Sequence, residues 1–124
     1  MPRRNGVLIV VFDFSAISDD EFHEWYDTEH IAERCSVPGF INGQRWLAVD
    51  NPKLSVVTYD TTGVDVLTSA PYRAISGKGF SPWTQRINRK CRLVARYVAE
   101  QILPGGATGP DEADRKSTRL NSSH

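Results

Sequence analysis

Two cysteines in 124 residues, Cys35 and Cys91, are too few for a disulfide framework. The chain has no apolar run long enough to span a bilayer. Its N-terminal apolar stretch, Val7 to Phe12, is too short for a signal peptide and has no cleavage site after it. A cytoplasmic location is the expectation. Charge of one sign is also missing: 15 basic and 15 acidic residues balance, so there is no basic face for nucleic acid, and Arg3–Arg4 is too short to make one. Histidines number three, and His23 and His30 lie seven apart with no Cys–His cluster, whereas a metal site wants three or four suitably spaced ligands. Gly77–Lys78–Gly79 lacks the strand–loop–helix context of a phosphate loop. These gaps lead to an expectation of no metal, no cofactor, no nucleic acid and no membrane, with a small molecule as the ligand.

The end of the chain is set apart from the rest. Asp114 to His124, DRKSTRLNSSH, is the string that a short-read sequencing adapter gives when translated, as in a gene fragment from environmental sequencing. It is excluded from fold and function reasoning, and His124 with it. Without Asp114, Arg115, Lys116 and Arg119, 12 basic and 14 acidic residues remain, a net of −2. Residues 105–113 are rich in Gly, Pro and acids and read as an unstructured, linker-like tail. One domain of about 100 residues, 1–104, is left.

Within it, Val7 to Phe14 (VLIVVFDF) is β-branched and aromatic, a strand whose nearly continuous apolar run indicates burial on both faces. Ser18-Asp19-Asp20-Glu21 is a capping-box pattern that opens a helix running to about Ser36, where Val37-Pro38-Gly39 stops it. Phe40 to Val49 and Leu54 to Tyr59 form a hairpin across the turn residues Asp50 to Lys53. A short helix from Asp65 to Ile75 is interrupted near Ser69–Pro71, and residues 76–80 are loop. Ser81–Pro82 is an N-cap followed by proline at the first helical position, opening a helix to about Lys90. Residues 91–103 fit helical spacing through Cys91, Val94, Val98 and Ile102, and strand alternation through Leu93, Ala95 and Tyr97. Strand from about Leu93 is preferred, because it balances the first crossover.

The order β-α-β-β-α-β is the ferredoxin-like arrangement: α+β, an antiparallel sheet with helices on one face. Since the first strand is apolar on both faces, the free face needs a cover, and a second copy of the sheet is the economical one. The expectation is a homodimer that closes into an α/β barrel.

The residues DEFHEWYDTEHIAE, then VPGF, then QRW carry a resemblance. Trp25, Tyr26, Asp27, His30, Glu33, Val37, Pro38, Gly39, Phe40, Arg45 and Trp46 match the W-Y-D-x-x-H-x-x-E helix, V-P-G-F stop and Arg–aromatic strand of the dimeric α/β-barrel superfamily. The match is to the EthD-like and related bacterial branches, and Asp65 to Ile87 is similar to the later half of one of them. Many relatives carry Pro where this chain has Ala32. The resemblance implies the fold. For activity it implies a range: lactone isomerases, polyketide cyclases, cofactor-free monooxygenases, decarboxylating dehydratases and haem-degrading enzymes. An axial role for His30 toward haem has no other support in the sequence.

On a helical wheel at about 100° per residue, Phe22, Tyr26, Glu29 and Glu33 fall on the core side, with His30 and Trp25 flanking. His30 is the first candidate for general acid/base, since its ordinary pKa of about 6.5 suits proton transfer near neutrality. Glu33 would orient the imidazole and Tyr26 would hydrogen-bond a substrate oxygen, giving a catalytic set of His30, Tyr26 and Glu33. The alternative is a histidine satisfied by Glu33 or a backbone carbonyl, with no chemistry. Arg45, on the strand side shared by Ile41, Leu47 and Val49, would hold a carboxylate or enolate, or else pair with Glu29 or Glu33. Arg96 has the same two readings. Trp25, Trp46 and Trp83, with Tyr72, would line an aromatic pocket or simply fill the core. His23 is expected to be exposed, and Asp27 to be a surface partner. The leading expectation is a cofactor-independent enzyme acting on a small cyclic or aromatic metabolite by isomerase, cyclase or monooxygenase-like chemistry. The alternative is a non-catalytic, small-ligand-binding or stress-associated dimer.

Overall fold

The computed structural model describes residues 4–103, so the tail expected at 105–113 and the adapter-like string at 114–124 lie outside the described residues. The architecture is α+β. Four strands, β1 (Gly6–Asp13), β2 (Phe40–Ala48), β3 (Asn51–Thr61) and β4 (Arg92–Glu100), form one antiparallel sheet in the order β2-β3-β1-β4. The ambiguous last element is therefore a strand. β3 starts at Asn51, so the turn between β2 and β3 is tighter than Asp50 to Lys53 suggested.

The helical segments follow their capping signals. Ser18 Oγ accepts from the Glu21 N–H at 3.2 Å and opens α1 (Asp19–Trp25). Ser81 accepts from the Thr84 N–H at 3.1 Å and opens α4 (Pro82–Lys90). The interrupted helix is a 3-10 turn, Val64–Thr68, followed by α3 (Ala70–Arg73), whose cap is Ser69; the expected loop after it includes a second 3-10 turn, Gly77–Gly79. Gly39 ends the first helical region at φ 99, and a Cβ there would lie 2.5 Å from Val66 Cγ2, so only glycine fits this stop.

One departure from the expected single helix controls the site. Tyr26–His30 is a π-helical turn between α1 and α2 (Ile31–Cys35), with the Ile31 N–H bonded to the Tyr26 carbonyl. The extra residue rotates everything after it by about 100° relative to a regular helix. Glu33 thereby leaves the core face and Arg34 enters it.

Alternation along β1 places Leu8, Val10 and Phe12 against the helices, with Val57 and Tyr59 beside them on β3. Phe14, Phe22, Trp25, Tyr26 and Ile87 complete a core in which each is fully buried. The opposite face carries Val7, Ile9 and Val11, paired in register with Ala99, Tyr97 and Ala95 of β4. Trp46 of β2 pairs with Val56 on this outer face too. Tyr97 is 60% exposed there, an unusual position for a large aromatic ring.

Candidate functional site

A cavity of about 380 Å³ opens between the sheet and the segment that follows β3. Its apolar wall comes from Leu8, Val10 and Phe12 of β1, Tyr59 of β3, and Tyr72, Phe80 and Leu93. Its polar groups are His30, Arg34, Ser76, Asn88, Cys91 and Arg96. An apolar cavity with a few convergent polar groups is the usual form of a small-molecule site, and this volume is within the roughly 300–1,000 Å³ typical of one.

The π turn delivers His30 to this cavity. The imidazole stacks on Trp25 with ring centroids 4.3 Å apart, and the Tyr26 ring meets it edge-on at 5.2 Å. The residue is 8% exposed, and burial followed by the nearby Arg34 charge pushes its pKa down to about 3. His30 is thus neutral at pH 7. Its Nδ1 is buried with no protein partner, as are Tyr59 Oη and Ser76 Oγ, which belong to the same cavity wall. Each such group costs about 1–3 kcal/mol if left unpaired, so the cavity is suited to a ligand with polar atoms.

Trp25 is fixed from behind. Its Nε1 donates to Thr84 Oγ1 at 3.0 Å, and the Ser81 and Thr84 hydroxyls donate to Glu29 Oε2 at 2.5 and 3.1 Å. Glu29, expected on the core face, serves to dock α4 on the first helical region. Arg86 of α4 also pairs with Glu21 of α1.

Of the candidates from the sequence, His30, Arg96 and Tyr72 line the cavity; Tyr26, Glu33, Arg45, Trp25, Trp46 and Trp83 do not. Tyr26 is buried below His30, its hydroxyl has no protein partner, and burial raises its pKa. Glu33 is partly exposed, its carboxyl pKa is raised by burial, and it approaches Arg34 at 3.9 Å without reaching the imidazole. Arg45 pairs with neither Glu29 nor Glu33. Its Nη1 donates to Asp27 Oδ1 and its Nη2 to His23 Nδ1, both at 2.9 Å, while the guanidinium lies 4.7 Å from the Tyr26 ring centroid. His23, expected to be exposed, is half-buried by this contact, and burial and then Arg45 lower its pKa. Trp46 is on the outer face of the sheet, away from the cavity, with Nε1 donating to Thr58 at 3.3 Å. Among the described residues no group of three or more His, Cys, Asp or Glu is placed to hold a metal.

Arg34 was missing from the sequence candidates. The residue is 4% exposed, and its Nη1 donates to the Ile75 carbonyl at 2.9 Å. The guanidinium stands 5.4 Å from the Tyr72 ring centroid and 5.7 Å from that of Phe80. Arg96 reaches the same region, with Nη2 3.5 Å from Tyr72 Oη. A sequence signal for Arg34 does exist: a wheel anchored on Ile31 and Cys35, both packed against the core, puts position 34 about 60° from Ile31, at the edge of the same face.

A solved structure shares this fold. The crystal structure of HapK from Hahella chejuensis is similar to the chain with a TM-score of 0.57 and 19% identity, covering 85% of this chain and 99% of that one. At this identity the likeness establishes the fold alone. No family model matches the chain, and no curated protein matches it. No helix among the described residues is long and apolar enough to cross a membrane.

Proposed function

We propose that the chain is a cofactor-independent acid/base enzyme for a small cyclic or aromatic metabolite, with His30 as the proton-transferring group. The observation that carries this reading is the lodging of a neutral imidazole, with an unpartnered Nδ1, in the wall of a mostly apolar cavity. A neutral imidazole can accept a proton from carbon α to a carbonyl or from a ring hydroxyl. Arg96, at the same cavity, supplies positive charge for the enolate or phenolate oxygen that forms. Tyr26 acts through packing that sets the imidazole plane. A thermal-shift screen against aromatic acids, lactones and quinones tests the cavity, and turnover of any hit by His30→Ala and His30→Gln tests the base. Stabilisation by a member of the panel and loss of turnover in both variants are expected. Unchanged turnover in both variants would end the role of His30.

A specific observation favours the second reading, a non-catalytic ligand-binding protein: a pKa of about 3 makes His30 a weak base. Binding of a panel member with no turnover at any pH from 5 to 9 selects that reading.

The assembly belongs to the same proposal. The ferredoxin-like reading is supported by the antiparallel order β2-β3-β1-β4, with helical connections from β1 to β2 and from β3 to β4. Membership of the dimeric α/β-barrel superfamily is supported by the W-Y-D-x-x-H-x-x-E helix and V-P-G-F stop. A homodimer through the outer face is supported by Val7, Ile9, Val11, Trp46, Val56 and Tyr97, which together make an apolar surface. Sedimentation at micromolar concentration should give a dimer that Ile9→Lys dissociates; a wild-type monomer sinks this part.

A further inference from the structure

We propose that Arg34 is the carboxylate-binding residue of the cavity, so that the ligand is a small aromatic or cyclic monocarboxylate. This rests on the cavity being a ligand site and adds the ligand's charge and the residue that reads it.

The argument begins with what burial of a guanidinium requires. A charge removed from water is stabilised by an opposite charge or by enough hydrogen bonds. Arg34 is 4% exposed, yet the nearest carboxylate oxygen, Glu33 Oε1, is 3.9 Å away, beyond hydrogen-bond length. Its hydrogen bond goes to one neutral carbonyl, that of Ile75, from a group carrying five N–H donors. Tyr72 and Phe80 offer ring faces, which hold the guanidinium without neutralising it. Arg45 shows the contrast in the same molecule, since it has Asp27 at 2.9 Å. Among the described residues the positive charge of Arg34 has only the long ion pair with the partly exposed Glu33, and the group lines the cavity.

The surroundings choose among anions. Leu8, Val10, Phe12 and Tyr59 form an apolar floor suited to a ring, and no second buried arginine accompanies Arg34 in the cavity wall, where Arg96 is exposed. A phosphate would carry a second charge into this apolar space. A planar carboxylate matches the guanidinium fork and carries one. His30 faces the same space, so a carboxylate on Arg34 leaves the ring beside the imidazole. Neutralising Arg34 also removes one of the two causes that hold His30 low, so the imidazole gains basicity when the carboxylate is in place.

The alternative role for Arg34 is a strut tying α2 to the Ile75 carbonyl. A strut is indifferent to the charge of the ligand, which makes ligand charge the decisive variable. Titration calorimetry on the wild-type chain with benzoate, benzamide and benzyl alcohol needs no variant. Benzoate is expected to bind at least about tenfold more tightly than benzamide, the scale of one charge-assisted hydrogen bond. Arg34→Gln is expected to remove that preference, weakening benzoate about tenfold or more while leaving benzamide within about threefold. In the same wild-type sample, the NMR titration of His30 should move to higher pH when benzoate is bound. Equal binding of benzoate and benzamide overturns the assignment of Arg34 and leaves the cavity reading standing. Failure of all three probes to bind at millimolar concentration overturns both. A preference for benzoate that survives in a folded Arg34→Gln protein but is lost in Arg96→Gln overturns Arg34 in favour of Arg96.

Discussion

The same helical region contributes to two histidine–arginine constellations, one completed by Arg45 of β2, and they differ in burial and in how closely their charge is paired. Toward the start of the region, His23 and Arg45 meet Asp27 in a half-buried cluster where the guanidinium has a carboxylate at 2.9 Å and an imidazole acceptor at 2.9 Å. At the end of the π turn and just past it, His30 and Arg34 are buried, His30 Nδ1 has no protein partner, and the nearest carboxylate to Arg34 is 3.9 Å away. The first cluster neutralises its charge at hydrogen-bond distance, with Arg45 Nε left unpartnered, and fastens β2 to the helix. The second has a positive charge held only by a long ion pair and an imidazole nitrogen left over, and a cavity lies beside them. Residue type therefore says little about which pair meets a ligand. Local neutralisation is the better guide, because an unanswered buried charge is costly for a fold to keep.

The largest effect should come from the platform beneath the second cluster. Trp25→Ala removes a fully buried ring that stacks on His30 and anchors Thr84, and should cost about 3–5 kcal/mol in urea unfolding. A loss below about 1 kcal/mol would mean that His30 is not held by packing.

Acidification comes next. The folded-state pKa of His30, about 3, is below its ordinary value of 6.5. Above pH 6.5 both folded and unfolded chains hold it neutral and its contribution is fully present. Below 6.5 the unfolded chain takes up a proton that the folded chain refuses, so stability falls at up to about 1.4 kcal/mol per pH unit, continuing toward pH 3. Between pH 7 and pH 5 the loss from His30 alone is about 2 kcal/mol. His30→Gln should flatten the urea midpoint over that range by more than His23→Gln does, since His23 is less buried. An equal flattening by the two variants would erase the distinction between the clusters.

Smaller still is the loss from the first cluster. Arg45→Met should lower stability by about 1 kcal/mol, as expected for a partly exposed pair, and leave benzoate affinity unchanged. A tenfold loss of affinity would put the ligand at the wrong end of the helix. Least of all, Asp27→Asn should change stability by a few tenths of a kcal/mol. Because Asp27 raises the pKa of His23, the variant should shift His23 to lower pH in an NMR titration and leave His30 where it was.

Much of the fold is legible in the sequence because it depends on local chemistry. Ser18 and Ser81 cap the helices they announce, Gly39 stops the first helical region at a positive φ, and Val7 to Phe12 is a strand. The strand character of 92–100 needed an argument about sheet closure, since its apolar spacing also fits a helix. The site is less legible. His30 and Arg96 reach the cavity, while Arg45 and Trp46, adjacent in sequence, point to opposite faces of β2, as alternation requires.

What the sequence by itself determined is the element order, the caps and the pairing of apolar faces, because these follow from periodicity and from backbone restrictions within a few residues. Tertiary structure decided which charge is left with only a long ion pair. A regular helix from Ser18 to Ser36 would place Glu33 beneath Tyr26. The π turn at Tyr26–His30 advances the register by one residue and puts Arg34 in the core instead. That choice is made where Trp25, Tyr26 and His30 pack against β1 and α4, and those contacts are far apart in the chain.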